Sequence, residues 1–281
     1  MKQSTHTKRN PRLVFLKCGT CSNAMFHLIN SEFNNTKPVE EKASDLLAGG
    51  IALRGHQCGM LWGGTLAIGV ESFRRYPDPN EATAAAIYAS RRLINSFQQR
   101  AGTVNCREIT KTDWDKKTDF TRFLLKTIAG AFVYSPCFNL FARWASEAIE
   151  AAQTVETSIT TENPCQSCAT EVLKKMGASP EHTAMVTGFA GGIGLSGQTC
   201  GALSAVIWYK MLDWTVQHPG KTAPMLNNPI AKKVLTTFSN QTAGETLCHK
   251  ITGQHFQTPA DHTAYLQSDG CRELLEALAR V

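Results

Sequence analysis

The amino-acid sequence predicts an all-α protein made of two tandem, homologous helical-bundle repeats of about five to six helices each. Three observations carry this. The stretch Ala48-Gly49-Gly50-Ile51-Ala52-Leu53-Arg54-Gly55-His56-Gln57-Cys58-Gly59-Met60-Leu61 returns, without a gap, as Ala190-Gly191-Gly192-Ile193-Gly194-Leu195-Ser196-Gly197-Gln198-Thr199-Cys200-Gly201-Ala202-Leu203. Each half holds five cysteines in the same order, and Cys58 to Cys106 and Cys200 to Cys248 have the same separation of 48. Apolar residues recur at helical spacing, and no segment shows the alternation of a half-buried strand.

Taken in order, the first seventeen residues carry Lys2, Lys8, Arg9, Arg12 and Lys17 and no acid, and read as a solvated basic tail over 1–17. The first repeat then spans 18–157 and the second 158–281, with the Thr-, Ser- and Glu-rich stretch 154–163 as linker. Ala24, Met25, Leu28 and Ile29 give a helix over Cys21 to Phe33, matched by Val172, Leu173 and Met176 after Cys168. Second helices begin at Pro38 and Pro180, where a proline lacks no needed N–H, and are expected to run to about Leu53 and Leu195. Third helices cover about Gly55 to Tyr76 and Gly197 to His218, each stopped by the proline that follows. The alanine-rich Glu81 to Gln99 and the segment Asn228 to Asn240 form fourths, ended by Gly102 and Gly244. Short helices at Cys106 and Cys248 and terminal helices at Cys137 to Ala152 and Cys271 to Val281 complete each half.

Composition narrows the function classes. The net charge is +6, and removing the five charges of the tail leaves a body near neutrality, without the aromatic or basic patterns of a nucleic-acid binder. The start lacks the apolar core of a secretory signal, so the expected location is cytoplasmic. The uncharged run Thr183 to Tyr209 is long enough to span a membrane, yet it is rich in glycine and its counterpart carries Arg54 and His56. It reads as a buried helix pair broken near Gly197. Ten cysteines without a signal peptide point away from a disulfide framework and toward metal binding or thiol redox chemistry.

The cysteines fall where chemistry would want them. Asn163-Pro164 precedes Cys165, Ser135-Pro136 precedes Cys137, Ser196-Gly197 leads to Cys200, Thr103 leads to Cys106, and Ser268-Asp269 precedes Cys271. These are first-turn positions, and their repeat partners inherit the assignment. A helix N-terminus presents free N–H groups and favours thiolate over thiol, so several lowered pKa values are expected. Cys18-x-x-Cys21 and Cys165-x-x-Cys168 place two thiols on one helix face, suited to a metal or an exchanging dithiol. The halves do not share His56 or His249, which argues against either as a common ligand.

At these residues the chain resembles the C_GCAxxG_C_C family of redox-active proteins, whose pattern is a Cys, a Cys-Gly-Ala-x-x-Gly motif and two later Cys. The first half matches it with Cys21, Cys58-Gly59-Met60-Leu61-Trp62-Gly63, Cys106 and Cys137; the second with Cys168, Cys200-Gly201-Ala202-Leu203-Ser204-Ala205, Cys248 and Cys271. Met60 and Ala205 depart from the motif. Family members are single units, so the resemblance covers this chain twice, and it implies a redox role. The expected function is electron transfer or thiol–disulfide exchange. Cys21, Cys58, Cys168 and Cys200 are the expected reactive residues, all eight matched cysteines the ligands of an iron–sulfur cluster if one is held, and Cys18 and Cys165 additional metal ligands. Alternatives are a zinc or soft-metal binding protein without catalysis and a transporter-associated accessory protein. The expected partner is another redox protein rather than nucleic acid or membrane, with the halves packed as an intramolecular pseudo-dimer.

Overall fold

The computed structural model describes residues 9–114, 116–129, 135–154 and 164–281. Among them are fifteen α-helices and no strand beyond two isolated bridges. The all-α expectation holds. In the first half these are α1 (Pro11–Cys18), α2 (Cys21–Glu32), α3 (Pro38–Ala43), α4 (Gly59–Arg75), α5 (Pro79–Ala101), α6 (Cys106–Thr110), α7 (Lys117–Ala129) and α8 (Pro136–Gln153). The second half has α9 (Cys168–Lys175), α10 (Pro180–Met185), α11 (Gly201–Gln217), α12 (Pro229–Thr242), α13 (Cys248–Thr252), α14 (Pro259–Gln267) and α15 (Arg272–Ala279). The boundary at 157/158 falls outside the described residues.

Three expectations change. Residues 11–17, read as part of a solvated tail, form α1: Asn10 caps it, Pro11 opens it, and Val14 and Phe15 are buried with Phe15 edge-on to Phe138 and Phe141. Two buried apolar side chains outweigh the exposure of its basic residues. The helices expected from Pro38 to Leu53 and Pro180 to Leu195 stop far sooner, after α3 and α10 and one 3-10 turn each, Ser44–Leu47 and Thr187–Phe189. Glycines that follow turn the chain left-handed. Residues 164–167 are not helical, so the Asn163-Pro164 device opens no helix. The next helix, α9, begins at Cys168 behind Ser167.

The halves interlock reciprocally. α3 and its 3-10 turn pack on α11 of the second half, while α10 and its 3-10 turn pack on α4 and α5 of the first. One hydrophobic core runs through both, with Trp62, Trp144 and Trp208 fully buried. Trp62 meets Phe189 edge-on at 4.8 Å, and Trp208 donates its indole N–H to the Glu40 carbonyl at 3.2 Å across the seam. No helix of the described residues is long and apolar enough to cross a membrane. The uncharged run Thr183 to Tyr209 is divided among α10, a turn and the start of α11, all inside this seam.

Candidate functional site

Each half builds its cysteine cluster on the same backbone frame. After the 3-10 turn the chain enters five consecutive residues of positive φ: Gly49, Gly50, Ile51, Ala52 and Leu53 in one half, Gly191, Gly192, Ile193, Gly194 and Leu195 in the other. For a non-glycine residue this conformation costs about 1–2 kcal/mol, so it persists where the surroundings enforce it. A Cβ on Gly50 would run into the His56 backbone, and one on Gly192 into the Gln198 backbone. The turn closes through Gly55 N–H to Gly49 carbonyl and Gly197 N–H to Gly191 carbonyl, each 2.9 Å.

The turn delivers the chain to an antiparallel bridge, Gln57 with Asn105 and Thr199 with Leu247. Around it the backbone N–H of Cys58 donates to Val104 (2.8 Å) and that of Cys106 to His56 (2.7 Å). In the second half Cys200 donates to Thr246 (2.9 Å) and Cys248 to Gln198 (2.6 Å). Reciprocal bonds of this kind fix register, so that in both halves the two cysteines, Cys58 and Cys106 or Cys200 and Cys248, each follow a bridge residue directly. Gln57 also reaches across to the Gly192 carbonyl (3.4 Å), joining the bridge of one half to the turn of the other.

Eight cysteines stand at helix starts. Cys21, Cys106, Cys168 and Cys248 are the first residues of α2, α6, α9 and α13; Cys137 lies in the first turn of α8; Cys58, Cys200 and Cys271 precede α4, α11 and α15. Within a half they lie near enough to act on one another electrostatically: Cys58 feels Cys21, Cys106 and Cys137, and Cys248 feels Cys200, Cys168 and Cys271. Cys18 and Cys165 do not follow the rule. Cys18 ends α1, near Glu41, Lys17 and Asp45, and Cys165 lies in the non-helical lead to α9, hydrogen-bonded to Thr263. The structure thus gathers the eight motif cysteines into two sets of four and leaves the two additional ones at the margins.

The helix starts do not, in general, make thiolates. Burial pushes Cys18 and Cys165 up to about 11 and Cys200 up to about 12, and it also raises Cys106, Cys137, Cys168, Cys248 and Cys271, while Cys58 is raised first by its hydrogen bond with Cys21 and then by burial. The expectation of several activated thiols is corrected: desolvation of a charged sulfur outweighs a few N–H groups. Cys21 goes the other way. A hydrogen bond from Cys58 is the largest cause of its lowered pKa, aided by the backbone N–H groups of Gly49, Cys21 and Ser22. The glycine turn therefore supplies a donor to the sulfur, as does its copy, where Gly191 and Ala169 N–H groups face Cys168. Gly59 belongs to the same packing: a Cβ there would stand 2.8 Å from the Cys21 sulfur.

The second cluster carries groups that the sequence reading passed over. Its four cysteines line a cavity of about 20 Å³ with Phe256, His262 and Tyr265, room for about one water molecule. Tyr265 is hydrogen-bonded to Cys271 and pushed up to about 12 by burial. His262 is buried, its Nδ1 is 3.2 Å from the Gln166 carbonyl, and desolvation lowers its pKa to about 4, leaving it neutral. The signal for these residues was present: Thr258-Pro259-Ala260-Asp261 is a capping box that starts α14.

Among the described residues, no group of three or more Cys, His, Asp or Glu side chains is placed to hold one metal ion. Neither curated proteins nor solved structures gave a match to the chain. A family model did, the one described as "Putative redox-active protein (C_GCAxxG_C_C)", over residues 19–149 and again over 163–281. The chain belongs to that family and carries its unit twice, once around each cysteine cluster.

Proposed function

We propose that the chain is a thiol–disulfide exchange protein in which Cys21 is the attacking thiolate and Cys58 its resolving partner, with Cys168 and Cys200 as the corresponding pair of the second half. The observation that carries the reading is the pairing of two buried free thiols, Cys21 and Cys58, with the backbone N–H of Gly49 facing Cys21, a setting that favours charge on Cys21 and holds the proton on Cys58. A thiolate beside a protonated thiol is the arrangement exchange requires.

The Cys21 thiolate attacks one sulfur of a partner disulfide. That S–S bond breaks, and the departing thiolate takes the Cys58 proton. Cys58, now ionised, attacks the Cys21 sulfur, closes the Cys21–Cys58 disulfide and releases the second partner thiolate, which is protonated by water. Two electrons pass to the partner, and a dithiol reductant restores the pair by the reverse exchange. Gly49 N–H holds charge on Cys21 while it waits. The C-x-x-C spacing is not used: Cys21 turns to Cys58 rather than to Cys18. The reading suits a reducing compartment such as the cytoplasm, where ten unpaired cysteines persist.

Titration of the anaerobically purified chain with oxidised and reduced dithiothreitol, with thiols counted at each step, tests this. Cys21→Ser and Cys58→Ser should each remove one reversible pair, and Cys18→Ser should leave the capacity whole. Unchanged capacity in Cys21→Ser overturns the assignment. Stoichiometric iron and sulfide in the purified chain would replace it with a cluster, and stoichiometric zinc without iron with a metal-binding role.

A further inference from the structure

Exchange in the second half requires a sulfur that both the buried pair and an outside thiol can reach. Of the four motif cysteines there, Cys168, Cys200 and Cys248 are buried and Cys271 is half-buried. All four line the cavity of about 20 Å³, so Cys271 joins the buried three to the molecular surface. The charge of Cys271 is felt at Cys200, Cys168 and Cys248 alike, which places it among them. The local chain holds it there. Asp269 and Cys271 both take positive φ, 63° and 60°, on either side of Gly270, a conformation uncommon in non-glycine residues. Gly270 donates its N–H to the Tyr265 carbonyl (2.9 Å), and a Cβ on it would run into the Tyr265 ring. The turn is thus clamped on Tyr265, whose phenol O–H donates to the Cys271 sulfur.

We infer that Cys271 is the relay thiol of the second half, exchanging with a Cys168–Cys200 disulfide and handing it to an external dithiol, with Tyr265 as its positioning residue; this rests on the thiol–disulfide exchange proposed for that pair. The Cys271 proton passes to water, and the thiolate, held by the Tyr265 O–H, attacks the Cys200 sulfur. The Cys168–Cys200 bond breaks as a Cys200–Cys271 bond forms. The departing Cys168 thiolate, faced by the N–H groups of Gly191 and Ala169, takes a proton from water. One thiolate of the external dithiol then attacks the Cys271 sulfur, and Cys200 leaves and is protonated. The second thiolate of the dithiol attacks its own first sulfur, closes the external disulfide and frees Cys271. Two electrons pass from the dithiol to the pair, and Cys271 ends as it began.

Peptide mass mapping of the full chain, oxidised with oxidised dithiothreitol and then followed through anaerobic reduction by the reduced form, tests the inference. The Cys168–Cys200 disulfide should form to the same extent in the parent chain, in Cys271→Ser and in Tyr265→Phe, which keeps the ring against Gly270. Its reduction should slow about tenfold or more in Cys271→Ser, where the positioned thiol is gone. In Tyr265→Phe it should slow about tenfold at neutral pH, with the rise of rate with pH moved about one unit higher, because the thiolate loses its donor. Cys165→Ser removes the other half-buried cysteine of this half, which does not line the cavity, and should stay within about twofold of the parent rate. The parent rate in Cys271→Ser, or equal slowing in Cys165→Ser, would overturn the relay while the pair stands. An unshifted pH profile in Tyr265→Phe would overturn the role of Tyr265. Failure of the disulfide to form in the parent chain would remove the pair and the relay together.

Discussion

The two halves share a backbone and differ in what surrounds the sulfur. Both make the left-handed turn, the bridge and the N–H donors aimed at the first motif cysteine. Beneath Cys21, however, Asp45 accepts hydrogen bonds from Thr20 (2.7 Å) and Asn23 (3.3 Å), and Glu41 meets His27 (2.8 Å) and Asn30 (2.9 Å). At the same places the second half has Thr187 and Thr183, with Thr170 in place of Asn23, and the hydroxyls of Thr170 and Thr187 lie 3.2 Å apart. Carboxylates have become hydroxyls, while Tyr265 and His262 have come to stand beside the second cluster. Cys21 is lowered and Cys168 raised. Duplication has held constant whatever fixes the backbone, because a bridge or a left-handed turn tolerates little change, and has let the polar groups below it diverge.

The comparison predicts its largest effect where the helices cross. A Cβ on Gly63 would overlap the Ser22 carbonyl, next to Cys21, so α4 lies closer to α2 than a side chain allows. The second half carries Ala205 at this position, fully buried and accommodated. Gly63→Ala should cost about 3 kcal/mol or more, by overpacking against backbone that cannot yield, whereas Ala205→Gly should cost about 1 kcal/mol, the helix propensity difference. Urea unfolding of the two variants measures this, and similar costs would mean that the halves cross their helices alike.

Acid should act on the second half through His262. Its folded pKa is near 4, below the ~6.5 of an unfolded chain. Between those values the unfolded chain binds a proton that the folded one does not. Stability from this residue is therefore whole above about pH 6.5 and is lost as pH falls toward 4, by an amount on the order of 3 kcal/mol. His262→Gln keeps an N–H for the Gln166 carbonyl and abolishes the titration, so its urea midpoint should fall less between pH 7 and pH 4.5 than that of the parent chain. An equal fall in both would remove His262 from the account of the second cluster.

Much of this was legible in the sequence, for physical reasons. The repeat, the proline-opened helices and the placement of eight cysteines at helix starts are local properties, whereas the bridges of Gln57 with Asn105 and Thr199 with Leu247 join distant residues and were not read. The left-handed turn was not legible, because Gly49-Gly50 reads equally as a helix break or as tight packing, and Ile51 and Leu53 are poor candidates for positive φ. The direction of the pKa shifts was missed for a different reason. Helix-start donors are written in the sequence, but the burial that outweighs them at Cys106, Cys137 or Cys248 belongs to the assembled core. Residues 11–17 were misread because charge stood out and Val14 and Phe15 did not.

The smallest effect concerns the polar layer itself, and it asks whether one half's solution can be moved into the other. Asp45 is buried and also paired with Lys42 at 2.6 Å. Asp45→Thr leaves the Thr20 hydroxyl and the Asn23 amide short of an acceptor, a loss of about 2 kcal/mol. Adding Asn23→Thr imports the Thr170–Thr187 arrangement of the second half, which needs no carboxylate. The double variant should regain about half of that loss, giving a favourable coupling of about 1 kcal/mol in the double-mutant cycle. Additive costs would show that the two polar layers are not interchangeable, and that the divergence beneath Cys21 is tied to the frame above it.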